Sequence, residues 1–180
     1  MMRFWELNEL PVLSTLKLAV VGHVEWVNFL AVDHLPQPGT IGHAHYSFEE
    51  PAGGGPVVAL QMSRLLGCQV HLITALGRDA LGQKSFDRLN ELGLNLTVVW
   101  RDCPTRRGIS FIDSHGERAI TVIGSRLQPT SEDDLPWDEM GSFDGIFATA
   151  GDSLALRHCH KASLLAITPR VGLQCILQSN

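Results

Sequence analysis

Short apolar runs rich in β-branched residues alternate along this chain with segments whose apolar residues recur at helical spacing, and that alternation admits few folds. The run from Leu16 to Val21 ends at Gly22 and reads as a buried parallel strand meeting a loop. Val58, Met62, Leu65 and Leu66 then repeat with helical period, with Gln61 and Arg64 opposite and Gly67 placed as a stop. A helix is therefore expected from about Val57 to Leu66. Gln69 to Leu76 is again strand-like, and Leu81 to Leu92 sets Phe86, Leu89 and Leu92 on one helical face before Gly93. Strands alternating with helices imply a mostly parallel sheet with right-handed crossovers, whose ligands sit beyond the carboxyl ends of the strands. Gly22, Gly77 and Gly151 fall at such ends.

Two stretches break this rhythm. Ile41 to Phe48, preceded by Pro36, Pro38 and Gly39, alternates like a strand but carries many polar positions, as a half-exposed, peripheral sheet would. Ile109 to Ile112 and Ala119 to Ile123 are joined by Asp113-Ser114-His115-Gly116, turn chemistry that predicts an antiparallel hairpin. Gly145 to Thr149 and Leu164 to Thr168 return to short core strands around a helix expected near Ser153 to Lys161. The chain reads as one α/β domain with a small β insertion.

Composition narrows the partners. With 180 residues, 44% of them hydrophobic and 18% charged, the chain can bury a core. A formal net charge of −5 and the lack of any Lys/Arg run argue against nucleic acid. The four cysteines, Cys68, Cys103, Cys159 and Cys175, form no CxxC pair, which disfavours zinc and redox motifs and fits a reducing cytosol. Glu6 and Glu9 stand where an export signal would need a basic then apolar start, and no apolar run is long enough to span a bilayer. A soluble cytoplasmic protein without membrane contact is expected.

The glycine triplet Gly53-Gly54-Gly55 lies between the peripheral strand and a helix start. It allows positive φ and close approach of backbone to a ligand, so a polar substrate and a plain hinge both remain open. It is no P-loop, since no Gly-Lys-Ser/Thr follows, and no dinucleotide fingerprint. In the run Gly77 to Gly82, Asp79 precedes a helix and reads chiefly as its cap. Glu25 suits either hydrogen bonds to sugar hydroxyls or a solvated loop. His158 and His160 point apart on a helix, His43 and His45 share a strand face without a third ligand, and Thr168-Pro169-Arg170 reads as a loop turn, so none is taken as a metal or anion site.

In order and spacing from Leu16 to about Arg170, the motifs VVGHVEW (Val20 to Trp26), PAGGGPVVALQMSRLLG (Pro51 to Gly67), TALGRDALG (Thr74 to Gly82), HGERAITVIG (His115 to Gly124) and ATAGD (Ala148 to Asp152) resemble the ribokinase-like, or PfkB, carbohydrate kinases. The resemblance implies a three-layer α/β sandwich with a small β-sheet lid, the lid segments lying near 36–50 and 106–124. Sugar would bind between lid and core, ATP with Mg2+ would phosphorylate a sugar hydroxyl, and the lid would offer a route to a homodimer. By position, Gly53, Gly54 and Gly55 fall to the lid hinge and substrate contact, with Glu25 on the substrate side and Gly22, Gly77, Asp79 and Gly82 as motif positions. The family often has an Asp shortly after the first strand, where Trp26 and Val27 stand, and an Asn after the diglycine, where Val57 and Val58 stand. Its Gly-Ala-Gly-Asp turn, source of the general base and of N–H groups that stabilise the transferred phosphoryl, is absent, and Gly151-Asp152 comes too early to replace it. The expectation is a domain truncated at its carboxyl end, inactive as a kinase alone. Alternatives are a non-catalytic sugar-binding or interaction module and a non-functional gene fragment.

Overall fold

The structure, a computed structural model, describes residues 15–169 and Leu177. Arg170 and Cys175 therefore lie outside the described residues, as do Glu6 and Glu9. In chain order the elements are β1 (Leu18–Val21), β2 (Glu25–Val32), β3 (Ala44–Ala52), α1 (Gly54–Leu66), β4 (Val70–Gly77), α2 (Ala80–Glu91), β5 (Asn95–Arg101), β6 (Arg107–Ile112) and β7 (Arg118–Ile123). A 3-10 helix (Trp137–Ser142), β8 (Gly145–Ala148), α3 (Ser153–Cys159) and β9 (Leu164–Ile167) follow.

Five strands form one parallel sheet in the order β5-β4-β1-β8-β9. The pleat sends Leu18 and Val20 to one face, where they pack with Leu72, Leu76, Ala59 of α1 and Leu89 of α2. Ala19 and Val21 turn to the other face and meet Ile73, Ile146, Trp137 and Met140 of the 3-10 helix, and Ala155 and Cys159 of α3. Both faces are covered, so β1 reads as a continuous apolar run and β4 as a mostly apolar one, and the molecule is a three-layer α/β structure.

The remaining four strands make a second sheet, order β3-β2-β6-β7, with β2–β3 and β6–β7 antiparallel and β2–β6 parallel. The hairpin expected at Asp113 to Gly116 is present: the Asp113 carboxylate accepts from the His115 and Glu117 amides at 2.9 and 3.0 Å. Two of the connections between the sheets are very short. β1 and β2 are separated by Gly22, His23 and Val24, and β3 passes into α1 through Gly53 alone.

Several boundaries differ from the sequence reading, each for a physical reason. The peripheral strand starts at Ala44, not Ile41, and runs on to Ala52, so its end delivers the chain directly to the glycine triplet. His43 consequently precedes the strand, and only His45 lies on it. Helix α1 begins inside the triplet, because Gly53 at φ 100° makes the turn and Pro56 sits in the first turn, where its missing N–H breaks no helical bond. Its other end matches expectation, with Gly67 left-handed at φ 64°. β2, β5 and the 3-10 helix had no counterpart in the sequence reading. β2 carries apolar side chains on both faces, since one faces the parallel-sheet side and the other packs on α2. On that α2 side the Trp26 indole N–H donates to Glu49 at 3.2 Å, the Lys84 ammonium lies 4.4 Å from the indole ring, and Arg88 binds Glu50 with contacts of 2.7 and 2.9 Å. No helix among the described residues is long and apolar enough to cross a membrane.

Candidate functional site

A cavity of about 380 Å³ opens between the two sheets, at the carboxyl ends of β1 and β8. Glu25, Val27 and Phe29 of β2 line it from the second sheet, together with Ser110 of β6 and Ile120 of β7. Gly53, Gly54, Val57 and Val58 line it from the start of α1, and Phe147, Thr149 and Thr168 from the ends of β8 and β9.

The glycines earn their place by close contact. A Cβ at Gly54 would stand 2.8 Å from Thr149 Oγ1 and 3.0 Å from Thr149 Cβ. Gly22 lies behind it, where an added Cβ would come within 2.5 Å of Thr149 Oγ1 and 2.6 Å of Gly55 Cα. Gly55 does not line the cavity: its amide donates to the His23 carbonyl at 3.1 Å, and a Cβ there would meet Leu72. Gly22→Ala is expected to destabilise the fold by roughly 1–3 kcal/mol through overpacking. Urea unfolding measures this, and an unchanged midpoint would show that the β1–α1 approach relaxes freely.

Gly53 gives α1 no side-chain cap. With the Gly55 amide taken by His23 and Pro56 lacking one, the helix leaves the Gly54 amide without an intrahelical partner beside the cavity. Thr149, 2% exposed, adds a hydroxyl that meets no hydrogen-bond partner among the described residues, and the Thr168 hydroxyl is in the same position. Buried hydroxyls are ordinarily paired, so these two are candidates for binding a polar ligand. The sequence reading missed both. The available signal was a hydroxyl residue at the carboxyl end of a short apolar strand, as in ATAGD and LLAIT.

Glu25 is not the solvated loop carboxylate that the sequence left open. It is the first residue of β2, 15% exposed, and its Oε2 lies 3.2 Å from Nε of Arg106, itself 16% exposed. The two atoms are close enough for an ion pair but off the line of a hydrogen bond, so the attraction is chiefly coulombic. Arg106 just precedes β6, and its pairing with Glu25 could not be read from residues so distant in sequence.

Gly77, Asp79 and Gly82 lie elsewhere, in a knot that joins β4 to α2. Asp79 caps α2 by accepting from the Gly82 amide at 2.7 Å, and it accepts from the Thr105 amide at 2.8 Å and the Thr105 hydroxyl at 2.7 Å. Burial alone would raise its pKa, but the hydrogen bonds from Thr105, Gly82 and Leu81 outweigh it and hold the carboxyl below its ordinary value. Asp152 is similarly engaged, capping α3 through the Ala155 amide at 2.8 Å and accepting from the Ser131 amide at 2.8 Å. His158 stacks on Trp137 with centroids 5.5 Å apart, and exposed His45 lies 3.9 Å from Asp33. Among the described residues no three His, Cys, Asp or Glu side chains converge on a cation-sized site.

Residues 15–168 match the pfkB family of carbohydrate kinases. The ribokinase of Dictyostelium discoideum is 27% identical over 121 residues, which are 66% of this chain and 37% of that protein. Among solved structures, the ribokinase of Giardia lamblia superposes with a TM-score of 0.72 at 17% identity, covering 85% of this chain and 50% of that one. The Arabidopsis thaliana ribokinase complexed with ribose and ATP superposes with a TM-score of 0.60 at 16% identity, covering 84% and 52%. At such identities the superpositions speak for the fold, and the chain spans about half the length of the kinases it overlays. The family match, in contrast, runs from the residues before the first core strand to the last of the cavity's threonines, and it follows that the chain belongs to the pfkB family of carbohydrate kinases.

Proposed function

We propose that the cavity between the sheets receives a sugar or related polyol, the acceptor in an ATP-dependent carbohydrate kinase reaction, and that the four-stranded sheet is its lid. One observation carries this reading. An uncapped helix start and a buried, unpaired Thr149 hydroxyl meet in a cavity at the strand ends, where a ligand's hydroxyls would supply the missing partners. Gly53 and Gly54 would let those hydroxyls approach the backbone, and Glu25 would accept from one of them. Kinship to a ribokinase solved with ribose and ATP supports the same class of acceptor and donor.

Binding, and not the transfer step, is the work we assign to these residues. A general base must reach the proton it removes. The carboxylate lining the cavity, Glu25, is held to Arg106, and that of Asp152 is committed to backbone amides. The same engagement favours, as a second reading, a sugar-binding module without catalysis. Titration calorimetry with pentoses and hexoses is expected to give saturable binding without nucleotide. Gly54→Val, which drives a side chain onto Thr149, is expected to weaken it at least tenfold. Coupled assay of ATP consumption is expected to show no turnover with the same sugars; turnover at ordinary enzyme rates would overturn the division of labour, and an unaffected Gly54→Val the location of the site.

A further inference from the structure

We infer that Lys84 and Arg88 of α2 act as an ionic latch, gripping the four-stranded sheet from the side opposite the cavity and holding it swung open until those contacts are released. This rests on reading that sheet as the lid of the acceptor site and gives the lid a control point.

The inner face of the sheet is uncovered. In the strand register Phe29 stands level with Phe48, Ser110 and Ile120, and Val27 level with Gly108 and Val122. Val27, Phe29, Ser110 and Ile120 line the cavity, so Phe48 and Val122 lie on the same side of the sheet. Yet Phe48 is 43% exposed, Val122 43% and Ile120 52%. Three large apolar side chains on the side that faces the cavity stand in water, and a swing of the sheet toward α1 would cover them. The polar members of the same wall, Ser110 and Arg118, would move with them.

What opposes that swing lies on the other side. Trp26 alternates with Val27 along β2, and α2 meets it there: the Lys84 ammonium is 4.4 Å from the indole ring and 3.3 Å from the Glu49 carboxylate. Arg88, one turn further along α2, donates to Glu50 through Nε at 2.9 Å and Nη2 at 2.7 Å. Glu50 stands level with Val27, but β3 is an edge strand and the carboxylate turns round its margin to reach the helix. Cavity and α2 thus lie on opposite sides of β2, and rotation about the Gly53 seam that narrows the one space widens the other. Glu49 is four residues before Gly53, about 13 Å along the strand, so a swing of about 20° carries it roughly 4 Å, more than such contacts tolerate.

The contacts also suit release. Both pairs are partly exposed, so water and salt reach them, and ion pairs of this kind are individually weak. Arg88 contacts Glu91 at 3.2 Å within its own helix and keeps that partner when Glu50 departs.

The test reads the posture of the sheet directly. Spin labels at Thr121→Cys on β7 and Arg64→Cys on α1, in the full chain carrying Cys103→Ser and Cys175→Ser, give a lid-to-core distance by pulsed electron paramagnetic resonance. Raising KCl from about 0.05 to about 1 M is expected to shift the distribution to shorter distances, and the double variant Lys84→Met, Arg88→Met to do so at low salt. Calorimetry with D-ribose, D-glucose and D-fructose, which have no charge to screen, is expected to show roughly threefold to tenfold tighter binding to the double variant than to the parent, the gap closing at high salt. Distances that respond to neither salt nor the double variant would overturn the latch. Equal sugar binding by parent and variant would overturn its control of the site and leave the acceptor reading standing. A salt-dependent distance without binding of any sugar would support the latch and overturn the acceptor reading.

Discussion

Arg106→Leu is expected to lose roughly 3 kcal/mol of stability, because it leaves the Glu25 carboxylate in a largely water-excluded position without its counter-charge. Removing one partner of a buried pair is far more damaging than removing both, since an isolated buried charge keeps its desolvation penalty and loses the attraction that offset it. The double variant Glu25→Gln with Arg106→Leu should therefore recover much of the loss. Urea unfolding of the parent, both single variants and the double variant closes the cycle. A single Arg106→Leu variant as stable as the parent would mean that water reaches Glu25, and that the cavity's carboxylate end is open where the structure has it covered.

The second large effect belongs to Asp79. Asp79→Ala removes an α2 cap and leaves the Gly82 amide and both donors of Thr105, a residue 2% exposed, without their acceptor. A cap contributes about 0.5–2 kcal/mol and each stranded buried donor about 1–3 kcal/mol, so a loss of roughly 2–4 kcal/mol is expected after partial relaxation. The pH dependence follows from the direction of its shift. The folded carboxyl titrates below its unfolded value, so its contribution is complete above the unfolded pKa, about 3.9, and drains away as pH falls through the folded one. The stability gap between parent and Asp79→Ala should thus stay constant near neutral pH and narrow below about pH 4. A gap that persists unchanged into strong acid would assign the loss to geometry and not to the carboxylate's charge.

The parallel core was legible because its strands and helices announce themselves locally. Leu18 to Val21 is an unbroken apolar run and Gln69 to Leu76 a largely apolar one, and Gly67 closes α1 with the left-handed turn that its position suggested. β2 was illegible for the opposite reason. In Glu-Trp-Val-Asn-Phe-Leu-Ala-Val both faces carry apolar residues, and the division of labour between them, Trp26 toward α2 and Val27 toward the cavity, is set by partners far away in sequence. The same limit applies to the candidate site. Gly53 and Gly54 could be named from their spacing before a helix, whereas Thr149, Thr168 and Arg106 gain meaning only once the strand ends are brought together.

The brevity of the links between the two sheets fixes what kind of movement is geometrically open to the smaller one. Three residues from β1 to β2 reach at most about 10 Å when fully stretched, and Gly53 by itself far less. Held along that seam, the four strands can swing like a door on its frame but have no slack to glide sideways.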